Sequence, residues 1–217
     1  IETLEQDWTE YPVLHFDLSD IKLGTTEQFD ISINATLSSM EESYGVTTST
    51  DRDISTRFRL LVENIYKKTG KQVVVLIDEY DSPLLTILHI PDRLDAMRTA
   101  LQSFFSPLKK LDPYLRFVFI TGITKFSQLS IFSQLNNLSN ITMLPQYSTI
   151  VGFTQEEIEK NFKDGIQSIA ESNQITYQEA LSKLKVLYDG YHFSRNSEGV
   201  YNPFSVLHAM NTKQLDN

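Results

Sequence analysis

The chain has 217 residues, of which 41% are hydrophobic, 22% charged and 11% aromatic, a balance that suits one sizeable core with a small appendage and argues against extended disorder. Its net charge is -9, and ten acidic residues accompany a single lysine, Lys22, within residues 1–50; without a basic stripe, direct nucleic-acid binding by this segment is not expected. The absence of cysteine, the scatter of His15, His89, His192 and His208, and the lack of an apolar run near ~20 residues exclude disulfides, thiolate metal sites and a bilayer-spanning helix from the expectations. A cytoplasmic location follows as the default, and a sequence that opens on Ile1 rather than Met is expected to be a piece of something longer.

In chain order, VLHFDLS (Val13 to Ser19) mixes β-branched and aromatic residues behind Pro12 and reads as a strand. A helix is expected near Thr26 to Ser43. From Asp53, ISTRFRLLVENIYKKTG sets Phe58, Leu61, Val62 and Ile65 on one face and closes with Lys67, Lys68 and Gly70, the last-turn cations and terminal glycine of a helix. It leads into VVVLID, a second strand. Asp92 then opens a helix through Leu94, Met97, Leu101 and Phe105, with a bend expected at Pro107, and RFVFITG forms a third strand. Apolar strands joined by amphipathic helices imply an α/β fold, a parallel sheet covered on both sides by right-handed crossovers. The stretch from Lys125 to Ser148, rich in Ser, Asn and Gln, reads as an exposed helix or loop before a short strand at Ser148 to Val151. Beyond it the pattern is helical. Thr154 with Glu157 and Thr176 with Glu179 form capping boxes, and Asn202 with Pro203 starts another helix. The domains expected are an α/β core over 1–152 and a helical lid over 153–217.

The second strand runs straight into Asp78, Glu79 and Asp81. In an open α/β sheet, ligands sit beyond the carboxyl ends of parallel strands. A carboxylate there can hold magnesium through its water shell, and an adjacent one can deprotonate an attacking water, which is the logic of a Walker B strand. Asp78 is thus the candidate metal residue and Glu79 the candidate base; the opposing reading makes Asp78 a loop cap and Glu79 a solvated side chain. Thr121, at the end of the third strand, is the candidate sensor of a terminal phosphate, or an ordinary strand-end threonine.

VVVLIDEYDSPL, then FVFITGITKFSQLSIFSQLNNLSNIT, then LYDGYHFS and VYNPFSVL, in this order, resemble the AAA-ATPase-like family of bacterial P-loop proteins. The resemblance implies a three-layer parallel sheet of the P-loop ATPase type with a small α-helical lid, ATP and Mg2+ as cofactors, and a Walker B motif that falls on Asp78 and Glu79; members often carry a restriction-endonuclease-like domain further toward the C-terminus. The family's phosphate loop ending in Gly-Lys-Ser is missing here. Gly70 and Lys71 precede Gln72 and close a helix instead. The expectation is an incomplete ATPase, lacking its first strand and loop, in which this chain alone binds neither cofactor well.

Several residues carry two readings. Asp81 and Ser82 before Pro83 start a helix, or Asp81 joins the metal environment; Lys125 meets a phosphate or stays solvated. LYDGYHFS ends a helix at Gly190 with its tyrosines packed on the core, or closes over nucleotide. The rival for the whole chain is a noncatalytic module that binds a protein partner or itself. A metal nuclease built on Asp78, Glu79 and Asp81 is weaker, because Tyr80 stands where such sites need a lysine.

Overall fold

The computed structural model describes residues 8–19, 21, 24–49, 51–123, 131–132, 135 and 137–215. The chain divides into two compact units, Ile1–Leu138 and Ser139–Asn217. No helix among the described residues is long and apolar enough to cross a membrane.

In the first unit, β1 (Val13–Asp17), β2 (Val73–Asp78) and β3 (Leu115–Ile120) form a parallel sheet in the order β1-β2-β3. Helices α1 (Thr26–Tyr44) and α2 (Ile54–Thr69) connect the first pair; α3 (Ser82–Leu85), α4 (Pro91–Phe105) and α5 (Pro107–Lys110) connect the second. The local signals act as expected. Thr25 and Asp53 accept from the amides of Gln28 and Thr56, while Gly45 and Gly70 close α1 and α2 in the left-handed conformation. The helix expected from Asp92 starts one residue earlier, with Pro91 at its first position. At Pro107 the chain does not bend but breaks, Ser106 ending α4 and Pro107 opening α5.

Register fixes the faces. Val13, His15 and Asp17 stand opposite Val74, Leu76 and Asp78, and Val74 and Leu76 stand opposite Phe117 and Phe119. The alternate set, Leu14, Phe16, Val73, Val75 and Ile77, is buried under Phe29 of α1, Phe58 of α2 and Phe104 of α4, with Phe16 ringed edge-on by Phe58 and Phe104 at 5.2 and 5.3 Å. The cover expected on both faces is absent among the described residues. Val13 is 43% and Phe117 54% exposed, and Phe117 stacks on Phe119 beside an open surface. The cause is topological: three parallel strands laid down in one direction need two right-handed crossovers, and both then fall on the same side.

The two sheet edges differ. On the outer edge of β1 the Tyr44 hydroxyl accepts from the Val13 amide and donates to the Val13 carbonyl, both at 2.8 Å. At the other edge, β3 pairs only with β2 among the described residues. Thr121 turns its amide and its carbonyl toward β2, so alternation turns those of Ile120 and Val118 outward.

The second unit holds α6 (Gln155–Asn161), α7 (Lys163–Ser172), α8 (Tyr177–Tyr188) and α9 (Pro203–Thr212) around Ile158, Ile166, Ile169, Leu184 and Val206. Both capping boxes are formed, and Asn202 accepts from the Ser205 amide at the start of α9. The short strand expected at Ser148 to Val151 is instead a series of turns: amides of Tyr147, Ser148 and Ile150 each donate three residues back, starting from a single-turn helix at Pro145–Tyr147. Extended pairing is left to isolated antiparallel bridges, Phe153 with Tyr201 and Tyr191 with Val200. Of the LYDGYHFS tyrosines, Tyr188 is buried as expected, but Tyr191 is 53% exposed because the chain turns outward after α8.

Candidate functional site

The register that aligns the strands also aligns their ends. Asp17 is the pairing partner of Asp78, and Thr121 follows β3 directly, so the carboxyl ends of all three strands carry polar side chains. The Thr121 hydroxyl donates to Asp78 Oδ1, which also accepts from the Glu79 amide at 3.1 Å. The ladder holds this juxtaposition in place: the Thr121 amide donates to Ile77 at 2.9 Å, and the Tyr80 amide donates to the Thr121 carbonyl at 3.0 Å.

Glu79 has φ +49°, in the left-handed region. For a glutamate this costs on the order of 1 kcal/mol. The strain comes from the sharp turn that takes the chain from β2 into α3, in which the Ser82 amide donates back to the Glu79 carbonyl at 2.9 Å. A glycine would fit without strain; the residue present is an acid.

One residue here escaped the sequence reading. Asp17 accepts from the Ser19 amide at 2.9 Å, and hydrogen bonding from the Ser19 side chain and backbone, with His15 adding a smaller charge effect, holds its carboxyl below the usual range. The shared ending of VLHFD and VVVLID was its available signal. Asp81 stands at the start of α3 but makes no capping bond. It is fully buried, and its Oδ1 accepts from the Ile123 amide at 3.2 Å. Lys125, considered as a phosphate contact, lies outside the described residues.

Among the described residues no group of three or more His, Cys, Asp or Glu side chains is placed to enclose a metal ion. Asp78 nevertheless fits the way magnesium is usually held, by one or two carboxylates with waters and substrate phosphates completing the shell. It is exposed, and Oδ1 carries both hydrogen bonds described for its carboxylate. A groove of about 740 Å³ lies elsewhere, between α1, the start of α2 and α4, lined by Asp30, Asn34, Asp53 and Thr99; burial pushes the Asp30 carboxyl up. It shares no residue with the strand ends.

Residues 1–132 match the sequence model of a family described as predicted AAA-ATPase. The chain is also 30% identical over 202 residues to a protein of Azotobacter chroococcum mcd 1 described as "Uncharacterized protein in vnfD 5'region"; the match covers 93% of this chain and 37% of that protein. The chain therefore spans little more than a third of this relative. No solved structure matches it. With more than half of its length matched by the family model, the chain belongs to the AAA-ATPase-like family.

Proposed function

We propose that this chain supplies the Walker B strand and the sensor threonine of an ATP-hydrolysing site whose phosphate-binding loop comes from polypeptide outside these 217 residues. The observation that carries the reading is the Asp78–Thr121 hydrogen bond across the ends of adjacent parallel strands, beside an edge of β3 that has no described partner. Asp78 would hold magnesium through water, and the ion would draw charge from the terminal phosphate. Glu79 would take the proton of the attacking water, and Thr121 would read the terminal phosphate.

Topology supports the same reading. A parallel strand beside β3 that precedes β1 in sequence needs a right-handed crossover running back along the sheet, which puts its helix on the opposite face from α1, α2 and α4. One strand–helix unit would therefore pair β3 and cover Val13, Val74, Leu76 and Phe117 together. The proposed architecture is a P-loop core over 1–152 with a helical lid over 153–217. Without the loop no array of backbone amides cradles the phosphates, and this chain alone should bind ATP and magnesium very weakly.

The test is steady-state phosphate release by a longer polypeptide that includes the loop. Glu79→Gln should lower kcat by at least about 100-fold while ATP binding persists. Asp78→Asn should weaken magnesium-dependent binding. Unchanged turnover in Glu79→Gln removes Glu79 from the chemistry.

A further inference from the structure

Asp81 has no part in the mechanism above, yet its carboxylate is fully buried, and burial of that group requires partners. Its place in the turn is set by its backbone: its carbonyl accepts from the amides of Leu84 and Leu85 at 2.9 and 3.2 Å, which starts α3. The side chain is not used in that start. It reaches instead to the chain leaving β3 and accepts from Ile123, two residues beyond the sensor threonine.

The fit is close from the other side as well. Gly122 passes over the Tyr80 ring, and a Cβ on it would lie 2.5 Å from Tyr80 Cε1 and 2.7 Å from Asp81 Oδ1. Tyr80 is fixed beneath by an edge-on contact with Phe132 at 4.9 Å. Ile123 is 74% exposed, so packing of its side chain does not hold the segment. The Tyr80–Thr121 ladder bond ties β3 to the turn after β2 as far as Thr121; beyond it the Asp81 carboxylate carries the tie on to Ile123, with Gly122 allowing the approach.

We infer that Asp81 is a positioning residue: its buried carboxylate clasps the Ile123 amide and fixes the direction in which the chain leaves β3, so that Thr121 keeps its hydroxyl on Asp78. The inference rests on the reading of Asp78 and Thr121 as the magnesium and phosphate pair. It gives the buried third acid of this turn a task distinct from those proposed for Asp78 and Glu79.

Amide hydrogen exchange and side-chain couplings measured by NMR on the present chain test it. In the wild type the Ile123 amide should exchange at least about 100-fold more slowly than an unprotected one, despite its exposed side chain. Asp81→Ala should abolish that protection and average the Thr121 χ1 angle over several rotamers. Asp81→Asn, which keeps one acceptor oxygen, should restore part of both. Gly122→Ala should give the Asp81→Ala signature by crowding the ring of Tyr80 and the carboxylate while leaving Asp81 itself in place, which covers the case in which Asp81→Ala fails to fold. Fast exchange at Ile123 in the wild type would overturn the clasp. A Thr121 rotamer that stays fixed in Asp81→Ala or Gly122→Ala would overturn its positioning role. Magnesium titration of the longer polypeptide separates the clasp from the ATPase reading: resonances around Asp78 that do not respond to magnesium count against the ATPase reading and leave the clasp untouched.

Discussion

Arg57 offers the sharpest test of how the first unit is held together. Its side chain is 1% exposed, and its guanidinium donates to Glu41 at 2.9 Å, Asn34 Oδ1 at 2.5 Å, Ser38 at 3.1 Å and Thr48 at 3.3 Å. Three of these partners lie on α1 and the donor lies on α2, so the network fixes how the two helices meet. Arg57→Met keeps the unbranched stem but removes the charge and every donor. Glu41, 8% exposed, then stays buried with the Thr48 hydroxyl as its described partner. Breaking one side of such a pair costs about 3–5 kcal/mol, and the methionine recovers roughly 1 kcal/mol through apolar contact. The expected net loss is about 2–4 kcal/mol, a Tm fall of roughly 8–16 °C for a unit of this size. Urea unfolding followed by far-ultraviolet circular dichroism measures it, with an unchanged m-value as the check on the unfolded state. Arg57→Met combined with Glu41→Met should regain at least half of the loss, because a buried pair exchanged for apolar side chains is close to neutral. A single-variant cost below about 1 kcal/mol, or a double variant no better than the sum of the singles, would refute the reasoning.

Two further predictions concern single groups. The Thr56 amide, with its side chain second, holds the Asp53 carboxyl below its ordinary value of 3.8, so the stability contributed by this cap is present above that value and is lost as pH falls through the lower folded one. Asp53→Asn should keep the cap and flatten this acid slope, whereas Asp53→Ala should cost about 1 kcal/mol at neutral pH; an acid slope unchanged in Asp53→Asn would assign it elsewhere. In the second unit, burial, with the charges of Asp189 and Glu159 adding to it, raises the Tyr201 phenol to about 12. Its contribution is fully present below the ordinary value of 10.0 and is lost as pH rises toward about 12. Tyr201→Phe, which loses the bond to Gln155 at 2.5 Å, should show no such decline in stability between those values.

What the sequence makes legible here is what neighbouring residues decide among themselves. The helix from Ile54 to Thr69 is written in Asp53, the apolar spacing and Gly70, because caps and periodicity act within a few residues. Asp78 and Thr121 could be paired from sequence because each ends a strand, and parallel strands end at the same edge. Asp81 could not, since both it and Ile123, from whose amide it accepts, lie beyond the strand ends, where no register aligns them, and nothing in DEYDSPL points to the contact. The one-sided sheet was hidden for a related reason: Val74, Leu76, Phe117 and Phe119 look like core residues, and only the strand order reveals that both crossovers lie on the other face, with no cover for these residues among the described ones. At Ser148 to Val151 local preference misled, as Thr149, Ile150 and Val151 favour a strand while the turn begun at Pro145 takes up their neighbours' amides.

The strand order also bears on how such a protein is made. β1, β2 and β3 neighbour one another in the order in which a ribosome would deliver them, so each pairing can form as soon as the next crossover emerges. The strand proposed to precede β1 and pair with β3 would have no such advantage: it would wait, unpaired, until everything through Ile120 had been translated. Contacts closed over so long a stretch form slowly. During that interval the nascent chain would present the stacked Phe117 and Phe119 to water along with the outward amides of Val118 and Ile120, the kind of surface that chaperones bind and that draws unfinished chains together.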